Sequence, residues 1–141
     1  MDATDEEIQR LLDAETIAVV GCSATSGKAA HDVPAYLQRQ GYDIIPINPN
    51  RDEVLGRTAV DSLDDVANHV ELDLVDVFRP SEEVSRVVDA VLKRLQRHDD
   101  VAGVWLQRGI RDDAAATRAR DAGLTVVQDR CLKVAHQRLR G

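Results

Sequence analysis

Phenylalanine and tryptophan occur once each, tyrosine twice, and aromatics make up only 3% of the 141 residues. Net charge is −7, which excludes the basic patches that phosphate backbones require. No apolar run approaches the ~20 residues of a membrane-spanning helix, and the acidic start, Asp2 to Glu7, lacks the apolar core of a signal peptide. These absences point to a cytoplasmic protein with no nucleic acid and no membrane among its partners. Two cysteines, Cys22 and Cys131, are too few for a disulfide framework. The four histidines are scattered, with no carboxylate or cysteine at ligand spacing, so no metal site is expected. Lysine is scarce as well: there are 3 Lys against 15 Arg, and 7 Glu against 18 Asp. An acidic, Asp-rich, Lys-poor surface resembles that of proteins from salt-loving archaea, where salt screens self-repulsion. A high-GC source with ordinary acidity is the other reading.

What is present is an alternation of strand-like and helical segments. Ile8, Leu11 and Leu12 sit at helical spacing in a leading helix within residues 1–14. From residue 15 to 141 the pattern is that of one α/β domain. Strands are expected at 17–20, 42–47, 72–78, 101–106 and 124–128. Helices are expected at 31–40, after Ser81, from Asp112 to Gly123, and over 132–139, with a short one near 62–67. The helix after Ser81 is the clearest: Val84, Val87, Val88, Val91, Leu92 and Leu95 follow i, i+3, i+4, i+7, i+8, i+11. Such alternation means βαβ units and a parallel five-stranded sheet with helices on both faces. Right-handed crossovers lead to an expected strand order of 3-2-1-4-5, counted along the chain. In such a sheet the ligand lies at the C-terminal strand ends, where the order reverses beside the first strand.

That rule gathers five loops. The first, Gly21-Cys22-Ser23-Ala24-Thr25-Ser26-Gly27-Lys28, follows an apolar strand and precedes a helix. Its backbone and the helix dipole favour phosphate, although small-residue loops also serve as plain turns. It fits neither the dinucleotide fingerprint G-x-G-x-x-G nor the P-loop: Gly27 falls one residue late for the latter, and Ala29 stands where a magnesium-binding hydroxyl belongs. After the second strand, Asn48-Pro49-Asn50-Arg51 offers a cation where NAD sites place a carboxylate. Arg51 could hold a phosphate on an adenosine ribose or be a solvated surface residue. After the third strand, Phe78 could lie beside an adenine or plug the core, and Arg79 could reach a pyrophosphate or pair with Asp76 or Glu82. After the fourth, Leu106, Gln107, Arg108 and Gly109 combine an amide with both donor and acceptor and a glycine that permits close approach. Trp105 is expected in the core. Cys22 and Cys131 close the first and last loops. Each is either a thiol activated near a helix N-terminus or an inert packing residue. No Ser/His/Asp order and no carboxylate pair names a catalytic machinery.

Six segments in order, Ile17-Ala-Val-Val-Gly-Cys-Ser, Gly41-Tyr-Asp-Ile-Ile-Pro-Ile-Asn-Pro, Val54-Leu-Gly, Val75-Asp-Val-Phe-Arg-Pro-Ser-Glu-Glu-Val, Val104-Trp-Leu-Gln-Arg-Gly and Gln128-Asp-Arg-Cys-Leu-Lys, resemble the small stand-alone CoA-binding proteins. These are similar to the CoA-binding domain of succinyl-CoA synthetase α-subunits. The resemblance runs over residues 15–133 and implies a Rossmann-like fold that binds coenzyme A or an acyl-CoA without established catalysis. It implies a pyrophosphate loop at Gly21 to Lys28, with Asn48, Pro49, Arg51, Phe78, Arg79 and Leu106 to Gly109 around the rest of the ligand. The loop 23–28 varies in that family, so Lys28 carries no firm role. The synthetases add a second domain with a phosphorylated histidine that this chain does not contain, so ligase activity does not carry over. A carrier, a sensor or a subunit is the expected function, acting as a homodimer or with a partner enzyme. The rivals are an NAD(P)-dependent or thiol-redox enzyme, and an interaction scaffold that binds no ligand.

Overall fold

The computed structural model describes residues 2–141. Five parallel strands form the main sheet: β1 (Thr16–Val20), β2 (Asp43–Ile47), then, after a two-stranded hairpin of β3 (Glu53–Val54) and β4 (Arg57–Thr58), β5 (Leu74–Val77), β6 (Gly103–Leu106) and β7 (Thr125–Val127). Five α-helices connect or flank them: α1 (Asp5–Leu12), α2 (Ala29–Arg39), α3 (Ser81–Leu95), α4 (Asp113–Asp121) and α5 (Leu132–Arg140). Helices α3 and α4 cover one face of the sheet, and α1, α2 and α5 the other.

Local chemistry accounts for the helix ends. Thr4 caps α1 in a reciprocal box: Glu7 N–H donates to Thr4 Oγ1 at 3.1 Å, and Thr4 N–H donates to Glu7 Oε1 at 2.9 Å. Ile8, Leu11 and Leu12 are buried as their spacing requires. Leu11 Cδ2 lies where a side chain at Gly103 would stand, 2.6 Å from its Cβ position, so α1 is packed into the domain and not an appendage. Asp112 caps α4 by accepting from Ala115 N–H at 3.0 Å. The helix expected after Ser81 includes it. Ser81 is the first residue of α3, Pro80 holds the cap position, and the Ser81 hydroxyl accepts from Arg111 N–H at 2.9 Å.

The doubly wound arrangement holds, with its reversal beside β1, but the third strand of the sheet takes a different place. The order is β2-β1-β5-β6-β7, or 2-1-3-4-5 along the chain, where 3-2-1-4-5 was expected. Pro46 supplies the reason. Its carbonyl accepts from Val60 N–H at the outer edge of β2, so its nitrogen faces outward too and has no hydrogen to give a further strand. Proline marks an edge strand, and only the single bridge Ile47–Val60 forms there. By contrast β5 is buried along its whole length, Leu74 through Val77, as a central parallel strand must be. It pairs with β1 on one side and β6 on the other.

One buried ion pair locks the amino end of the sheet. Arg94, 1% exposed, donates to Asp100 at 2.8 Å and to the Val70 carbonyl at 2.8 Å. Asp100 in turn accepts from Leu72 N–H. Burial pushes the Asp100 carboxyl up, but the hydrogen bonds from Arg94 and Leu72 N–H together with the Arg94 charge outweigh it and hold the group below its ordinary value. The pair ties the end of α3 to the approach of β5.

Candidate functional site at the carboxyl end of the sheet

A cavity of about 850 Å³ opens at the carboxyl ends of β1, β2 and β5, against the side of α3. Its floor is built from the first loop. Gly21 has φ +83°, and a Cβ there would lie 2.8 Å from Arg79 Cδ and 3.2 Å from the Phe78 carbonyl oxygen. Only glycine permits that approach. The Arg79 stem thus lies across the start of the loop, and its guanidinium donates to Glu83 at 2.8 Å.

The loop holds itself together. Pro34 stands inside α2 and has no N–H to reach back to Ala30. The freed Ala30 carbonyl accepts from Ser23 N–H at 2.9 Å. Thr25 N–H donates to Ser23 Oγ at 3.0 Å, and Gly27 N–H donates to Asp32 Oδ1 at 3.1 Å. Asp32 also receives His31 Nδ1 at 2.8 Å, and that contact leads the causes holding its carboxyl below the ordinary value. Several of the amides read from the sequence as phosphate donors are therefore used within the loop. Gly21, Cys22, Ser23 and Lys28 line the cavity. Ala24, Thr25 and Gly27 are exposed and lie outside it.

The second loop joins the first through Asn48, whose Nδ2 donates to the Cys22 carbonyl at 2.9 Å while its Oδ1 accepts from Asn50 N–H at 2.8 Å. Asn48, Pro49 and Asn50 line the cavity, whereas Arg51 is exposed beyond it. Phe78 is half-buried: it packs on the core, as one of its two readings has it, and its other side lines the cavity.

The fourth and fifth loops do not reach this cavity. Leu106 is 1% exposed and belongs to the aliphatic core. The Gln107 amide is spent internally: Nε2 donates to Asp76 Oδ1 at 2.6 Å, and Oε1 accepts from Leu132 N–H at 3.3 Å. Arg108 is exposed. Gly109 has φ +84°, and its N–H donates to Asp129 at 2.6 Å. Trp105 is buried, its Nε1 donating to the Arg130 carbonyl at 2.8 Å. Cys131 is half-buried at the cap position of α5.

Of the two readings of Cys22, the inert packing residue fits the structure. Its side chain is buried, and burial, helped by the nearby Asp76 charge, pushes its pKa up to about 12. A reactive thiolate needs the opposite shift. Asp76 itself is fully buried, and that burial lifts its carboxyl to about 7 despite the Gln107 hydrogen bond, with Oδ2 left without a partner. Among the described residues no group of three or more His, Cys, Asp or Glu could hold a metal ion, and no helix is long and apolar enough to cross a membrane.

The sequence reading missed one wall. Arg86, Val87, Ala90 and Lys93 of α3 face Pro49 and the segment Asp61–Asp64 across the cavity. The valine pattern of α3 identified its buried stripe, but not that the flank of the stripe borders open space.

Fold and cavity together define a Rossmann-like, doubly wound α/β domain with its opening beside β1. A family model described as a CoA binding domain matches residues 15–137, and the chain belongs to that family. It is similar to the uncharacterized protein YneT of Bacillus subtilis, 38% identical over 131 residues and 92% of each chain. A solved structure from Thermus thermophilus, cell-free ID.343, superposes with a TM-score of 0.85 at 40% identity, covering 97% of this chain and 99% of that one. An ADP-forming acetate–CoA ligase II of Archaeoglobus fulgidus is 30% identical over 78 residues, which are 54% of this chain but 12% of the ligase.

Proposed function

We propose that this chain binds coenzyme A or an acyl-CoA in the cavity beside β1, as a carrier, a sensor or a subunit with no catalysis of its own. The observation that carries the reading is the cavity itself: a glycine at Gly21 over which the Arg79 stem packs, a half-buried ring at Phe78, and the cations Lys28, Arg79 and Arg86 around one opening. The likeness to an acetate–CoA ligase over part of its length supports the same ligand class. A second opening, of about 700 Å³ at the amino end of the sheet, is lined by Asp13, Glu15, Asp43, Glu71 and Asp73 and suits a polyanion poorly. In this reading the pyrophosphate lies at the first loop, and the pantetheine arm passes Phe78 toward Gly109 and Cys131. A cytoplasmic location, a salt-adapted surface of archaeal type, and assembly with a second copy or a partner enzyme belong to the same proposal.

The high pKa of Cys22 weighs against a thiol-redox enzyme, and the missing carboxylate after β2 weighs against NAD. Calorimetric titration with CoA, acetyl-CoA, NADH and NADPH side by side tests the reading. CoA or its thioester is expected to bind and the dinucleotides are not. Binding of none would favour the scaffold alternative, and tighter binding of a dinucleotide would favour the enzyme.

A further inference from the structure

We infer that Arg86, on the second turn of α3, holds the phosphate monoester on the adenosine ribose, and is the residue by which this site tells CoA from dephospho-CoA. The inference rests on the CoA reading of the cavity and adds to it the choice of cation.

Four cations, Lys28, Arg79, Arg86 and Lys93, and four carboxylates, Asp61, Asp64, Glu83 and Asp89, line the cavity, so what matters is which cation is left unpaired. Arg79 is held by Glu83, with Nη2 at 2.8 Å from Oε2. Lys93 lies 4.0 Å from Asp64. Arg86 has three carboxylates at helical contact distance, Glu82 at i−4, Glu83 at i−3 and Asp89 at i+3, any of which would ordinarily pair with it. Glu83 and Asp89 are taken, and Glu82 does not reach it. Glu83 meets Arg79 with both oxygens, and Asp89 is bound by Arg118 of α4. Among the described residues Arg86 has no carboxylate within ion-pair distance. An arginine on a cavity wall that is in no ion pair can take an incoming phosphate without breaking one. Its fork geometry suits a phosphate monoester better than a lysine does.

Position agrees with charge. Glu83, Arg86, Ala90 and Lys93 fall on one flank of α3. At 1.5 Å per residue, Arg86 stands about 4.5 Å along the axis from the Glu83–Arg79 pair, and Lys93 about 10.5 Å further. Between the last two the helix presents Val87 and the small Ala90, facing Pro49 and Leu63. Those apolar side chains suit the face of a purine ring, and the carboxylates of Asp61, Asp64 and Asp89 line the same cavity. A purine there and a pyrophosphate at Gly21 put the connecting ribose beside Arg86. Arg51, the alternative cation after β2, lies outside the cavity.

The test is a titration of CoA and dephospho-CoA into the wild type, Arg86→Gln and Arg51→Gln, with melting curves to check that each variant is folded. Arg86→Gln is expected to lose about ten-fold or more in affinity for CoA and less than about two-fold for dephospho-CoA, abolishing the preference of the wild type. Arg51→Gln should retain that preference. Equal losses for the two ligands in Arg86→Gln, or a loss of preference in Arg51→Gln alone, overturns the assignment while leaving CoA binding intact. A wild type that binds CoA and dephospho-CoA equally also overturns it. A wild type that binds neither overturns the reading of the cavity, and this inference with it.

Discussion

The two faces of the sheet are built from different materials. Against α3 and α4 the centre of the core is aliphatic, with Val75, Val77, Val84, Val88, Val91, Val104, Leu106 and Ala119 buried, and its polar groups stand apart from that cluster: the Arg94–Asp100 pair at the end of α3 and Gln128 beside the start of α4. Against α1, α2 and α5 the core holds Trp105 and Cys22, and beside them Asp76, Gln107 and His136 are buried as well. Asp76 shares this face with Leu74 because side chains alternate along β5. There the polar groups join elements that apolar contact alone would leave free to slide. Gln107 bridges β5 to α5, Trp105 reaches the Arg130 carbonyl, and His136 meets Tyr36 Oη at 2.7 Å. An aliphatic cluster resists pH, whereas buried titratable groups respond to it: Asp76 and His136 within one face, and Asp100 at the edge of the other. The cavity opens on the aliphatic side, yet the loop that floors it is footed on the polar side through Cys22. The difference therefore separates what stabilises the fold from what positions the site.

The largest effect is expected on the aliphatic side. Leu106→Ala should cost about 2–5 kcal/mol in guanidinium denaturation, and the loss should be the same at pH 5 and pH 8. A loss below about 1 kcal/mol, or one accompanied by a selective drop in CoA affinity, would place Leu106 at the ligand and not in the core.

The next effect lies on the polar side and depends on pH. Burial lifts Asp76 to about 7, from an ordinary value of 3.8. The native state then keeps a proton that the unfolded chain releases above about pH 4. The stability linked to that proton is full below this value and is lost as pH rises through about 7. Asp76→Asn keeps an acceptor for Gln107 Nε2 but cannot ionise. Its melting temperature relative to wild type should therefore rise from pH 5 to pH 8, by at least about 5 °C. A difference that stays constant over that range would show that Asp76 does not titrate there. His136 works in the opposite direction: burial, with the Arg140 charge, lowers its pKa, so its contribution falls away as pH drops through about 6.5.

The smallest effect concerns reactivity. At pH 8 a thiol reagent should label native protein once, at half-buried Cys131, with Cys22 reacting only after unfolding. Cys22→Ser should leave the native labelling rate unchanged. Labelling of Cys22 at the rate of Cys131 would mean that the polar face opens to solvent.

Much of this protein is determined by its sequence alone. The valine spacing of α3, Asp112 before α4, the leading Ile8-Leu11-Leu12 helix, and the glycine that ends β1 are local features, and local sterics and hydrogen bonds settle them. The position of the site beside β1 follows from the alternation of strands and helices, because a doubly wound sheet reverses there wherever its later strands lie. Pro46 already carried the edge position of β2, but the direction of its missing N–H depends on pairing, which spacing does not reveal. Only the tertiary structure decided that Gln107 faces Asp76 and α5 instead of a ligand. It likewise decided that the loop consumes its own amides through Ala30 and Asp32, and that Arg51 falls outside the cavity while Arg86 lines it. Those outcomes depend on contacts between residues as far apart as Gln107 and Asp76, or Asp89 and Arg118. Charge and hydrogen bonding are exclusive: each acceptor spent on one partner is withheld from another, and that allocation exists only once the chain has folded.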